Sequence, residues 1–105
     1  MKKLLMATTA AALTAGMANA AGHSEIKIGV ILGFTGPIES LTPSMADGAE
    51  LAMSEVTESG MLLDGAAVTP VRADSTCVDA GAATAAAERL ITSDGVKGIM
   101  GADCS

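Results

Sequence analysis

The spacing of apolar residues changes repeatedly along this chain, and each change marks an element. From Glu25 to Leu32 the residues first alternate and then run apolar without a break, as in a strand whose far end is covered on both faces. Gly33 to Ser44 contains Gly33, Gly36, Pro37 and Pro43 and reads as a turn region. Beyond it, Met45, Ala49, Ala52, Met53 and Val56 recur at three- and four-residue intervals, while Asp47, Glu50, Glu55 and Glu58 fall mostly off that stripe. Such spacing predicts a helix laid on a core. Ser44 with Asp47 fits a capping box at its start, and Thr42 followed by Pro43 fits equally well. Gly60 permits the left-handed backbone that closes a helix.

A turn at Asp64-Gly65 leads into a second strand, Ala67 to Asp74, interrupted by Pro70. Proline cannot donate to a sheet ladder, so this strand belongs at an edge. Asp79 to Asp94 reads as a second helix, with Ala83, Ala87, Leu90 and Ile91 on its apolar stripe and Gly95 as its stop. Val96 to Gly101 is a third short apolar run, and Ala102 to Ser105 opens a loop. The order strand, helix, strand, helix, strand predicts an α/β fold, a doubly wound Rossmann-like parallel sheet. With the second strand outside the first and the third on its other side, Pro70 falls at the edge. Ligands then bind beyond the carboxyl ends of the first and third strands, where Gly33–Ser44 and Ala102–Ser105 lie.

The first twenty residues do not fit this pattern. Met1-Lys2-Lys3 is a basic start, Leu4 to about Ala18 is apolar, and Ala18-Asn19-Ala20 supplies small residues for cleavage after Ala20. Residues 1–20 are thus expected to be a signal peptide and 21–105 a partial β-α-β-α-β lobe. The apolar run is shorter than the ~20 residues a spanning helix needs, so no membrane insertion is expected after cleavage. Removal of Lys2 and Lys3 leaves four cations, Lys27, Arg72, Arg89 and Lys97, against twelve carboxylates, a net charge of −8. A duplex binder needs clustered cations, so a nucleic-acid partner is excluded. With Phe34 as the single aromatic, the core must form from Ile, Val, Leu, Met and closely packed Ala.

Cys77 and Cys104 are the only cysteines, an even number in an exported chain, which favours a disulfide. With the first strand between them, both loops must lean over its end to meet. A redox or metal pair lacks a C-x-x-C, and His23 sits in the N-terminal tail, so neither a metal nor a cofactor is expected. The loop from Leu32 to Pro37 follows a strand and precedes a helix, which puts free N–H groups near any anion, although it is neither G-x-G-x-x-G nor a P-loop. Thr35 and Thr42 also fit as turn and cap residues. Asp74, Asp79 and Asp103 fall at one sheet edge, where caps and solvated carboxylates are common. Without a core His or a G-x-S-x-G elbow, nucleophilic and hydrolytic catalysis lack their parts, so the chain is not expected to be an enzyme.

Several separated segments resemble a known family. Ile28-Gly29-Val30-Ile31-Leu32, Thr35-Gly36-Pro37 and Asp47-Gly48-Ala49-Glu50-Leu51-Ala52 match the opening of periplasmic leucine/isoleucine/valine-type solute-binding proteins of ABC importers. Ala73-Asp74-Ser75-Thr76-Cys77 and Gly101-Ala102-Asp103-Cys104-Ser105 do so too, in the same order. The resemblance implies the N-terminal part of lobe 1 of a type I periplasmic binding protein, with Cys77 and Cys104 as the family's disulfide. It further implies that Ser105 helps hold a ligand's α-carboxylate, with Asp103 and Cys104 in the same wall and Phe34 to Thr42, including Thr35 and Leu41, in the facing one. Leu41 stands where amino-acid binders often carry an aromatic residue, which widens the ligand class to aromatic acids, amides and other organic acids. The implied role is a receptor in the periplasm of a Gram-negative bacterium, delivering an amino acid or related small carboxylate to an ABC permease and its ATPase complex. A sensor ectodomain of the same fold and an α/β enzyme fragment are the alternatives.

Overall fold

A computed structural model of the chain describes residues 24–104. Three parallel strands, β1 (Glu25–Leu32), β2 (Ala67–Asp74) and β3 (Gly98–Met100), form a sheet in the order β2-β1-β3. Helix α1 (Thr42–Ser59) connects β1 to β2, and α2 (Ala80–Thr92) connects β2 to β3. The expected signal peptide, 1–20, and Ser105 lie outside the described residues.

Alternation along β1 assigns its side chains to two layers. Val30 and Leu32 point to one face and meet Ala46 of α1, with Phe34 and Met53 against them; Ile31 points to the other and meets Leu90 of α2 and Ala73. Both faces are covered where β1 ends, and the burial of Gly29 through Leu32 matches the expected continuous apolar run. At Gly29 an added Cβ would lie 2.8 Å from Leu90 Cδ1 and 3.3 Å from Ile99 Cγ1. Absence of a side chain there is what lets α2 approach the sheet.

Proline 70 sits on the edge strand, as expected. Val68, two residues earlier, turns its N–H away from β1 and donates to Thr57 Oγ1 at 2.8 Å. Pro70 shares that parity, so the N–H it lacks would have faced the free side.

Helix α1 departs from its expected orientation. Thr42 and Ala46 are fully buried, Ala49, Glu50, Met53 and Thr57 are half-buried, and Met45 and Val56 of the apolar stripe are 45% and 41% exposed. Hydrogen bonds decide this rotation. The Thr42 hydroxyl donates to the Gly33 carbonyl at 3.1 Å, and Thr57 Oγ1 receives the Val68 N–H, so a hydroxyl anchors each end of the helix to the sheet. Neither expected cap forms. Leu41 occupies the N-cap position without a side-chain bond, and Thr42 reaches back to Gly33 instead. Gly60 does close the helix, at φ 65°.

Helix α2 is capped by Asp79, whose Oδ1 accepts from the N–H groups of Gly81 at 2.8 Å and Ala82 at 3.1 Å. It ends two residues before the expected Asp94, and Ile91 of its apolar stripe is 59% exposed. Strand β3 is shorter than the run Val96–Gly101, because Gly101 turns at φ 114° against the end of β1. A Cβ on Gly101 would collide with the Ile31 carbonyl oxygen. Among the described residues, β3 pairs only with β1, leaving its other side open.

The Gly29–Leu90 contact predicts a coupled pair. Gly29→Ala should cost about 1–3 kcal/mol by overpacking, and Leu90→Ala about 2–5 kcal/mol by leaving a cavity. In urea titrations, Gly29→Ala should cost less in the Leu90→Ala background than alone; strictly additive losses would refute the contact.

Candidate functional site

The carboxyl end of β1 is built around Gly33. Cys77 and Cys104 are joined by a disulfide with their Cα atoms 5.2 Å apart, so the loops after β2 and β3 do lean over β1 to meet. An added Cβ on Gly33 would lie 3.0 Å from Cys77 Cβ, closer than an ordinary contact, so a side chain beneath the bridge would be crowded. The Gly33 N–H donates to both oxygens of Asp103, at 3.1 Å each, and its carbonyl accepts the Thr42 hydroxyl. One buried glycine thereby connects β1, α1 and both flanking loops.

Asp74 holds the next part of the turn. Its Oδ2 accepts the Thr35 hydroxyl at 2.6 Å, and its Oδ1 accepts the N–H groups of Thr35 at 3.2 Å and Thr76 at 2.8 Å. The Thr35 hydroxyl bond holds the Asp74 carboxyl below the usual aspartate range, the backbone N–H groups of Thr76, Thr35 and Phe34 act in the same direction, and burial opposes them. The bond to Thr76 also steadies a left-handed stretch in which Thr76 and Cys77 sit at φ 59° and 70° without being glycine. Gly36, at φ 99°, runs so close below that a Cβ would strike the Thr76 carbonyl oxygen.

These contacts correct one expectation. The turn's N–H groups are not free: that of Gly33 goes to Asp103, that of Phe34 to the Leu32 carbonyl at 2.9 Å, and that of Thr35 to Asp74. An anion arriving at this turn finds those three donors already engaged, two by carboxylates and one by a backbone carbonyl of the chain itself.

Of the expected site residues, the structure brings Asp103 and Cys104 over Gly33 and sets Thr35 against Asp74, on the opposite flank of β1. Leu41, 60% exposed, stands on the turn entering α1. Asp79 is apart, as the cap of α2. A hollow of about 410 Å³ lies on the α2 side of the bridge, bordered by Ser75, Cys77, Asp79, Ala83 and Cys104; Thr35, Leu41 and Asp103 do not line it. Among the described residues, no three His, Cys, Asp or Glu side chains converge as metal ligands, and no helix is long and apolar enough to cross a membrane. Composition gave no sign of a further cluster, in which Arg72 of β2 reaches Asp47 and Glu50 of α1. Its signal lay in the spacing: Asp47 and Glu50 are three residues apart on one helix face, opposite an outward position of an edge strand.

The sequence profile of the periplasmic binding protein family matches residues 25–105, which takes in every strand and helix described above. The chain belongs to the periplasmic binding protein family. Within it, the chain is 39% identical over 101 residues to proteins called Leu/Ile/Val-binding protein homolog 7 in Brucella abortus (strain 2308), Brucella suis biovar 1 (strain 1330) and Brucella melitensis biotype 1 (strain 16M). Each alignment covers 96% of this chain and 24% of the relative, so the chain spans about a quarter of the length of the relatives it matches. Its sheet presents the ends of β1 and β3 side by side, the place where doubly wound sheets in general receive ligands.

Two outcomes follow from this geometry. Gly33→Ala should destabilise the oxidised chain by about 1–3 kcal/mol, read from its urea midpoint, since the added Cβ would crowd Cys77 Cβ at 3.0 Å and the bridge leaves Cys77 little freedom to give way. For Asp74, a depressed carboxyl contributes stability that is present at neutral pH and fades as pH falls through its folded value, starting below about pH 4. Asp74→Asn should therefore lower stability at pH 7 and flatten the acid limb of a stability-against-pH curve. An unchanged acid limb would show that Asp74 is not the anchor described.

Proposed function

We propose that the chain supplies one wall of a solute-binding receptor that captures an amino acid or related small carboxylate and delivers it to an ABC importer. The observation that carries this reading is the tethered end of the sheet: in a chain of this family, the turn after β1 and the Asp103-Cys104 tip are fixed together by the Cys77–Cys104 bridge. The names of the Brucella relatives support a branched-chain ligand. In this reading Ser105 meets the ligand's carboxylate, Thr35 and Leu41 belong to the facing wall, and Asp103 and Cys104 act chiefly by holding the tip in position. The N–H groups of Gly33, Phe34 and Thr35 are engaged within the protein, so in this reading the carboxylate is met by other groups, the Ser105 hydroxyl among them.

The same reading takes residues 1–20 as an export signal cut after Ala20 and the periplasm as the site of action. It gives no residue a catalytic role, and the relatives are named as binding proteins. The ABC permease and its ATPase complex are the partners, engaged when a second lobe closes over the filled site.

Calorimetry tests this directly. The 105-residue chain alone, with one wall, should give no heat with leucine, isoleucine or valine. A chimera in which it replaces the matching quarter of the Brucella melitensis relative should bind at least one of them with micromolar or tighter affinity. Ser105→Ala in that chimera should weaken binding about tenfold or more, the cost of losing a hydrogen bond to a charged group. A chimera silent towards amino acids and organic acids alike, where the parent relative binds, would overturn the proposal.

A further inference from the structure

Arg72 projects from the edge strand β2 into a set of contacts that the ligand reading leaves unused. Its Nε donates to Glu50 Oε1 at 2.6 Å, and its Nη2 donates to Glu50 Oε2 at 3.0 Å and to Asp47 Oδ1 at 2.8 Å. The guanidinium is thus gripped as a fork by one carboxylate of α1 and held by a second. Its Cζ lies 5.4 Å from the centroid of the Phe34 ring, within cation–π reach. Phe34 also packs against the core cluster of Val30, Leu32 and Ala46. Phe34 therefore touches both the apolar core and a cation whose position α1 sets, and it lies between Gly33 and Thr35 in the turn.

Without this cover, Phe34 would border solvent on the flank of the sheet, and only the Thr35–Asp74 bonds would hold the turn from that side. Lysine could not reproduce the arrangement, because a point charge lacks the planar fork that faces Glu50 and the ring together.

We propose that Arg72 is a positioning residue for the turn after β1, setting the conformation of Phe34 and Thr35 from the outer flank of the sheet. Its consequence for ligand affinity rests on the reading that this turn is a binding wall; its consequence for the turn itself does not.

The two consequences can be measured separately. Phe34 is the only phenylalanine in a chain without tyrosine or tryptophan, so in an NMR spectrum its ring resonances need only be told apart from the two carbon-bound protons of the His23 imidazole. In the disulfide-bonded 105-residue chain, Arg72→Met should shift those resonances and speed amide hydrogen exchange at Phe34 and Thr35 about three- to tenfold, the range expected of an exposed ion pair and a cation–π contact. Exchange at Val30 through Leu32 should stay unchanged. Arg72→Lys should recover only part of the protection, and Glu50→Gln should weaken it in the same direction as Arg72→Met. Unchanged exchange at the turn, or an equal rise across β1 and the turn, would overturn the proposal, the latter by making Arg72 a general stabiliser. In the calorimetric chimera, Arg72→Met should raise the leucine Kd severalfold; a loosened turn with an unaltered Kd overturns the link to affinity. Failure of the chimera with Arg72 intact would instead point to the ligand reading.

Discussion

The structure depends on a close approach at one residue, Gly33. A disulfide passes over it, a carboxylate takes its N–H, a hydroxyl from α1 takes its carbonyl, and its lack of a side chain makes this convergence possible. The three strands alone would give a small sheet with loosely attached loops. Chain entropy favours loops that stay mobile, and a bridge between Cys77 and Cys104, 27 residues apart, offsets that by about 3 to 4 kcal/mol on the loop-closure estimate. The bridge fits closely here because the residue that follows β1, Gly33, has no Cβ beneath it.

Two carboxylates complete the same end. Asp103 and Asp74 approach the turn from opposite sides of β1 and satisfy backbone donors that would otherwise be open to a ligand. Such an arrangement separates two tasks. Backbone polarity keeps the turn in shape, while in the proposed receptor exposed side chains such as Leu41 would be left to discriminate between ligands. Arg72 extends the same logic outward, linking the shape of the turn to a pair of acids on α1.

Much of the fold could be read from residue order. The mixed pattern of Glu25–Leu32 marked a strand with one fully covered end, Pro70 assigned β2 to an edge and so gave the strand order, and an even pair of cysteines pointed to their bridge. The rotation of α1 was not legible. Apolar periodicity pointed to Met45, Ala52 and Val56, whereas the helix sits where the Thr42 and Thr57 hydroxyls find their partners, and hydroxyls carry no weight in a hydrophobic stripe. Nor was the engagement of the turn's donors: Asp103 lies 70 residues from Gly33 in sequence, and no local pattern announces that pairing. For Asp79, by contrast, its place at the start of the expected helix made a cap a ready explanation, because capping is a short-range interaction.

The two sides of the sheet differ in a way that reaches beyond the site. On the β2 side, Pro70 offers no donor, Thr57 has taken the Val68 N–H, and Arg89 has taken the Arg72 carbonyl at 3.2 Å. On the β3 side, among the described residues, the backbone is open. Sheet growth is therefore directional: an additional strand, whether it comes from a longer protein of this family or from a stray neighbouring molecule, finds its template beside Gly98–Met100 and is refused at the opposite margin.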